Sequence, residues 1–408
     1  MNPVLLLSNG HGEDLSGALL ARELRQRGVT VEALPLVGHG HAYRQAGIPV
    51  LGPTRDFSTG GLGYTSLGGR LTELREGQYV DLVRRLGNLR GRRDRLIVAV
   101  GDLLPVLVAW LCRRPAVVYL VAYSSHYEGR LRLPWPCGWL LRRRRMLGIW
   151  SRDPLTADDL STQLARPVHF LGNPFLDLVA SEDAPIPNDA QQSLAVLPGS
   201  RLPEALRNFE RLLGLLGRLP ERLQQPRRLA LRAALVSSLD AERLGRLAAP
   251  QGWRLQPGRG VADGLAPQVL IRGEQRLQLH WGRFPAVLRG SDLVVSMTGT
   301  AAEQAVGLGK PVLQVEGEGP QFTAGFAEAQ RRLLGPGLLC AHGEGHDHLQ
   351  ASADLMARAL DRLADREQGP AWRAELTEIG QQRIGPPGGS QRMAAAIMEV
   401  LSSLPPGV

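Results

Sequence analysis

Lysine is almost absent from this chain. Of 48 basic residues, Lys310 is the one lysine and the rest are arginine. Schiff-base chemistry would rest on Lys310 alone, and its place just before Pro311 and a strand is poor for that. Cysteine is scarce as well. Cys112, Cys137 and Cys340 show no CxxC spacing, and an odd number leaves at least one unpaired. That argues for a reducing compartment and against a zinc site. The longest apolar run, residues 103–112, falls short of the roughly 20 residues that cross a bilayer. The chain enters an apolar strand at Pro3-Val-Leu-Leu-Leu-Ser8 with no basic segment before it, so no secretory signal is expected. GxGxxG and the P-loop lysine are both missing, and no internal repeat stands out.

A chain of 408 residues, 21% charged and 43% hydrophobic, has the composition of a globular protein and the length for two cores. Its net charge of +9 is uneven. Arg142-Arg-Arg-Arg145 follows the Trp-containing stretch Leu133-Pro-Trp-Pro-Cys-Gly-Trp-Leu-Leu141, and residues 90–95 form a second basic run. Basic, aromatic and apolar residues mixed in this way suit an anionic membrane surface or a nucleic acid, and equally a solvated helix face.

Strand and helix patterns alternate in both halves. Strands are expected over 4–8, 29–36, 96–100, 116–122 and 147–150, with a helix over 15–27. A second series begins near Leu194, with strands over 194–197, 228–236 and 268–272 and a helix over 204–218. Residues 180–190, polar with two prolines, read as a linker. The expected architecture is α/β, with two doubly wound domains facing a cleft and ligands at the carboxyl ends of the strands.

Two turns in the second half suit an anion. Ser291-Asp-Leu-Val-Val-Ser296 reads as a strand, and Thr298, Gly299 and Thr300 then open a helix whose first N–H groups lack intrahelical partners. Leu197-Pro-Gly-Ser-Arg-Leu-Pro-Glu204 ends another strand. There Gly199 permits close backbone approach, Ser200 donates, Arg201 offers a planar fork, and Glu204 either holds Arg201 or caps a helix. Each alone also fits an ordinary βα turn; together they suit the two walls of a diphosphate site. In the first half, Ser8-Asn-Gly-His-Gly-Glu-Asp-Leu-Ser-Gly-Ala18 places His11, Glu13 and Asp14 at a strand end, and Val100-Gly-Asp-Leu-Leu-Pro105 places Asp102 at another. His11, Asp14 and Asp102 are the candidates for a general base. Asp14 also suits a helix cap, and Asp102 a loop that needs its N–H groups satisfied.

These segments, in this order, resemble the lipid-A-disaccharide synthase family of GT-B glycosyltransferases over most of the chain. Residues 197–204 look like its LPGSRxxE, and Ser296-Met-Thr-Gly-Thr-Ala-Ala-Glu-Gln304 like its ASGTAxLE. Phe170-Leu-Gly-Asn-Pro-Phe-Leu-Asp177 is similar to its FVGHPLxD, and residues 12–18 partly match its GEASGDLHGA. The resemblance implies two Rossmann-like domains: an acceptor domain over 1–178 and, after a linker over 179–190, a nucleotide-sugar domain over 191–385. A terminal helix within 386–408 would return to the first domain. It also implies inverting, metal-free and cofactor-free transfer from a UDP-sugar, such as an acylated glucosamine, to a lipid-linked acceptor. The protein would be cytoplasmic, with residues 133–145 at the inner face of the membrane. The family's ribose-binding Glu falls on Gln304, with Glu303 one place earlier. Its early Glu falls on Gly10, and its DAPDF becomes Asp-Leu-Leu-Pro-Val from Asp102. These departures mark a divergent branch. The same nucleotide site would also serve a UDP-sugar epimerase, or a non-catalytic lipid- or carbohydrate-binding protein.

Overall fold

The computed structural model describes residues 3–52, 86, 87, 89, 91–127, 129–180, 186–257, 268–317, 324–341 and 345–405; the side chain of His11 lies outside that description. The chain forms two compact units: Met1–Asp177 with Gly385–Val408, and Leu178–Ile384.

The first unit carries a six-stranded sheet of β1 (Val4–Ser8), β2 (Val31–Pro35), β3 (Leu96–Val100), β4 (Ala116–Leu120), β5 (Met146–Ser151) and β6 (His169–Phe170). All pair in parallel in the order β2-β1-β3-β4-β5-β6. Both faces are covered, so the strands read as unbroken apolar runs such as Leu-Ile-Val-Ala-Val in β3. Alternation sends Leu6 and Val98 to one face, against α1 (His11–Gln26). Leu5 and Ile97 go to the other, against α3 (Leu103–Leu111). The apolar run over 103–112, short for a membrane, is this core helix.

The helix α1 starts four residues before the expected 15. Gly10, with φ 140°, turns the chain at the end of β1, and Glu13 and Asp14 lie in the positive first turn. The terminal helix α15 (Gly389–Ser403) packs on α1 and buries Met393, Ala394, Ile397 and Leu401 in the same core. Its N-terminus is held by Asp177. Oδ1 accepts Gly389 N–H at 3.2 Å, Oδ2 accepts Ser390 N–H at 2.7 Å, and Gly388 N–H and the Ser390 hydroxyl add two more bonds.

The second unit carries eight strands in the order β14-β13-β12-β7-β8-β11-β10-β9. Those that matter for the site are β7 (Gln192–Leu197), β8 (Leu229–Leu235), β12 (Leu293–Ser296), β13 (Val312–Gln314) and β14 (Leu338–Cys340). From β14 to β11 (Gln275–Trp281) pairing is parallel. β10 (Gln268–Arg272) and β9 (Arg254–Gln256) then run antiparallel. The β10–β11 hairpin is absent from the sequence reading, which extends one strand only over 268–272. Gly273, at φ 55°, and Glu274 make its tight turn, Arg272 pairing with Gln275. The first strand, β7, has β12 on one side and β8 on the other, so the strand order reverses between β7 and β12.

Candidate functional site

That reversal point is where open α/β sheets bind ligands. Leu197 and Ser296 are register partners at the carboxyl ends of β7 and β12, so the turns that follow them are neighbours. Gly199, at φ 104°, adopts a conformation that L-residues rarely take, and a Cβ there would stand 3.7 Å from Met297 O and 3.8 Å from Thr298 Cγ2. The structure thus joins Gly199 and Thr298 in one lip. Buried Asn208 of α7 (Glu204–Leu216) pins the first turn, donating to Pro198 O at 2.8 Å. The Ser296 hydroxyl pins the second, accepting Thr298 N–H at 3.1 Å and meeting Thr298 Oγ1 at 2.7 Å.

Gly199 and Ser200 enter the turn between β7 and α7, and Arg201 is exposed beside them. Glu204 opens α7 without a side-chain cap and stands 3.8 Å from Arg207. Gly299 caps α11 (Thr300–Gly307), with Thr300 its first residue. Glu303 and Gln304, the ribose candidates, are 7% and 2% exposed, so both are buried in the body of α11. Three residues outside the sequence reading border this lip. Phe326 and Gln330 of α12 (Ala324–Leu334) come within 3.6 and 3.8 Å of a Cβ placed on Gly299. Gln314 ends β13, and the side-chain oxygens of Gln314 and Gln330 are buried without a partner among the described residues. Only the long-range fold brings them here.

In the first unit the order reverses between β1 and β3, and the turns over 9–14 and 101–104 meet there. Asp102 caps α3, accepting Leu104 N–H at 3.0 Å and Asn9 Nδ2 at 3.0 Å. Burial pushes its carboxyl above the usual carboxylate value, and those hydrogen bonds pull the other way. The Glu13 side chain reaches the same place, its Cγ 3.2 Å from a Cβ built on Gly101. Asp14, the other base candidate, points inward. It is 2% exposed and accepts from Ser8 Oγ at 2.6 Å; Ser8 in turn accepts from buried Tyr43 at 2.9 Å. Gly17 leaves room for that ring, since a Cβ there would stand 2.0 Å from the Tyr43 hydroxyl oxygen.

Two side chemistries recede. Burial pushes the Cys112 and Cys340 thiols up to about 11 and Cys137 to about 12, far from a reactive thiolate. Lys310 is largely desolvated, which lowers its pKa, and it donates to Arg289 O at 3.2 Å. Of the second basic run, Arg92 pairs with Asp94 and Glu32, and Arg95 donates to Leu401 O at 2.8 Å, so both serve the fold.

No protein-family model matches the chain. It is 28% identical over 422 residues to a lipid-A-disaccharide synthase of Alkalilimnicola ehrlichii, covering 97% of each protein. Among solved structures, the calicheamicin glycosyltransferase CalG4 matches with a TM-score of 0.59 and 18% identity, over 99% of this chain and 100% of that one. The S. aureus MnaA structure with UDP matches at 0.56 and 13%, over 99% and 98%. The UDP-GlcNAc 2-epimerase of Neisseria meningitidis bound to UDP-GlcNAc matches at 0.53 and 14%, over 97% and 100%. The fold is GT-B, and the sequence is that of a divergent relative of the synthase.

Proposed function

We propose that this relative of lipid-A-disaccharide synthase is a glycosyltransferase that moves a sugar from a UDP-sugar to a lipid-linked acceptor, with inversion. The observation that carries the reading is the paired lip at the β7/β12 reversal: Gly199, Ser200 and Arg201 beside Thr298, Gly299 and Thr300. The unpaired N–H groups that open α11 favour negative charge, and Arg201 supplies a charged fork. As the sugar leaves, the diphosphate gains charge, and donors already in position stabilise it most in the transition state. The acceptor hydroxyl docks at the first unit's rim beside Asn9 and Asp102. Asp14, committed to Ser8, has a structural role in this reading.

With radiolabelled UDP-sugars and membranes, the purified protein should move label into organic-extractable lipid. Label that stays in water as an epimerised sugar nucleotide would replace transfer with epimerisation.

The acceptor reading is supported by one surface. Trp135 is 89% exposed and Trp139 46%, with Leu111 and Leu147 exposed nearby. Arg142, Arg144 and Arg145 are exposed, and the Arg143 guanidinium lies 3.5 Å over the Trp139 ring. A hollow of about 560 Å³ beside them is lined by Arg130, Arg132 and Arg142. Among the described residues no helix is long and apolar enough to cross a membrane. Wild-type protein should sediment with phosphatidylglycerol vesicles and weakly with phosphatidylcholine ones. Arg144→Ala/Arg145→Ala should lower the former about thirtyfold, at about 1 kcal/mol per basic residue. Equal partitioning to both lipids would refute the contact.

A further inference from the structure

We propose that the hollow lined by Arg130, Arg132 and Arg142 binds the phosphomonoester headgroup of a membrane lipid; this deepens the membrane contact proposed above and rests on it, not on the transfer step. The hollow measures about 560 Å³, and Leu133, Gly138 and Leu164 form its apolar wall. Two helices frame it: α4 (Cys137–Leu141), with Arg142 as its C-cap, and α5 (Pro154–Leu164). Gly138 and Arg142 stand four apart and so share one face of α4.

The arginines are held in place by α5. Leu131, between two of them, is bonded at both backbone groups. Asp159 Oδ2 accepts its N–H at 2.7 Å, and Gln163 Nε2 donates to its carbonyl at 2.8 Å. The same Gln163 amide donates to Asp159 Oδ1 at 2.8 Å, and Ser125 Oγ donates to Oδ2 at 2.8 Å. These bonds fix where Arg130 and Arg132 leave the chain, which lowers the ordering cost of binding. Arg142 donates to Gln163 O at 2.6 Å, which places its guanidinium and covers a carbonyl at the negative end of α5. Arg132 is exposed and has no partner among the described residues.

Charge selects the ligand. Asp159 lies within electrostatic reach of Arg130 and offsets it. Nearby Arg166 is committed to Leu141 O at 2.7 Å and Met146 O at 2.6 Å. The charges of Arg132 and Arg142 remain toward the hollow. They match a phosphomonoester, which carries about −1.5 to −2 at pH 7 and three terminal oxygens. Guanidinium forks take such oxygens in pairs. A phosphodiester headgroup offers a smaller charge and fewer terminal oxygens.

The surroundings select the source. Exposed Trp135 and Trp139 lie within two residues of the wall, and such rings sit at the headgroup level of a bilayer. The phosphate is therefore lipid-borne. It belongs to an anchor rather than to the acceptor. α5 begins at the carboxyl edge of the sheet, and Gln163 lies about 15 Å back along it.

Sedimentation tests this with vesicles of phosphatidic acid or phosphatidylglycerol in phosphatidylcholine, matched in surface potential and ionic strength. Wild type should bind phosphatidic acid about tenfold more tightly, the equivalent of one added charge-assisted bond. R132A should bring that preference below about twofold. So should G138F, which fills the hollow without changing charge: a Cβ at 138 would already stand 3.7 Å from Leu164 Cδ2 and 3.8 Å from Leu133 Cδ1. Arg144→Ala/Arg145→Ala should weaken binding to both lipids and keep the preference. Melting curves confirm that the variants fold. Equal affinity of the wild type for the two anionic lipids, or a preference kept in folded R132A or G138F, overturns the headgroup site and leaves the membrane contact standing. Failure to sediment with either lipid overturns both. Saturable calorimetric binding of inorganic phosphate without vesicles, lost in R132A, would assign the hollow to a soluble anion and overturn the lipid source.

Discussion

Asp177→Ala should cost about 3 kcal/mol of stability, because it leaves the start of α15 uncapped. A helix opens with N–H groups that have no partner inside it, and here three successive ones, with a hydroxyl, converge on one carboxylate. Charge-assisted bonds of this kind are worth about 1.5–3 kcal/mol each before relaxation and water recover part of the loss. The helix they hold buries Met393, Ala394, Ile397 and Leu401 against α1. A loosened N-terminus therefore also exposes core. Asp177→Asn keeps one acceptor oxygen and should lose roughly half as much. Denaturant melts measure the difference, and limited proteolysis should cut first near Gly385. A loss below about 1 kcal/mol would mean that packing alone seats the helix.

Arg201→Ala should weaken UDP binding about 10- to 100-fold, which corresponds to about 1.4–2.8 kcal/mol. Arg201 is an exposed guanidinium on a turn whose backbone is fixed by Asn208 and whose Gly199 abuts Thr298. The turn's backbone is thus fixed, and in the proposed site the charged fork would meet the phosphate oxygens. Arg201→Lys keeps a point charge without the fork and should fall between. Melting temperature should be unchanged, because the side chain is on the surface. Full UDP affinity in Arg201→Ala would place the diphosphate elsewhere.

Both turns were legible in the sequence because short-range chemistry marks them. Leu-Pro-Gly-Ser-Arg and Met-Thr-Gly-Thr each follow an apolar strand with small residues that allow a tight turn. Their pairing was expected from their shared anion chemistry, and its physical cause, β12 seated beside β7 rather than beyond β8, needed the fold. Asp14 shows how packing adds what a local pattern omits. Its setting at a strand end suits chemistry, but the partners that turn it inward, Ser8 and Tyr43, are brought in by packing. Glu303 and Gln304 repeat the lesson: helical phase buries them both, and no local pattern reports which face of α11 meets the core. The Asp177 segment was noticed for its likeness to a family motif, and its physical reason, a cap on a helix more than two hundred residues later, needed the fold.

The most direct test of the account is calorimetric titration of the purified protein with UDP. The account predicts one UDP per chain, held at the Gly199/Thr298 lip and displaced by a UDP-sugar, with the heat diminished in Arg201→Ala. No heat with UDP or any nucleotide sugar, under conditions where the protein is folded, would contradict it.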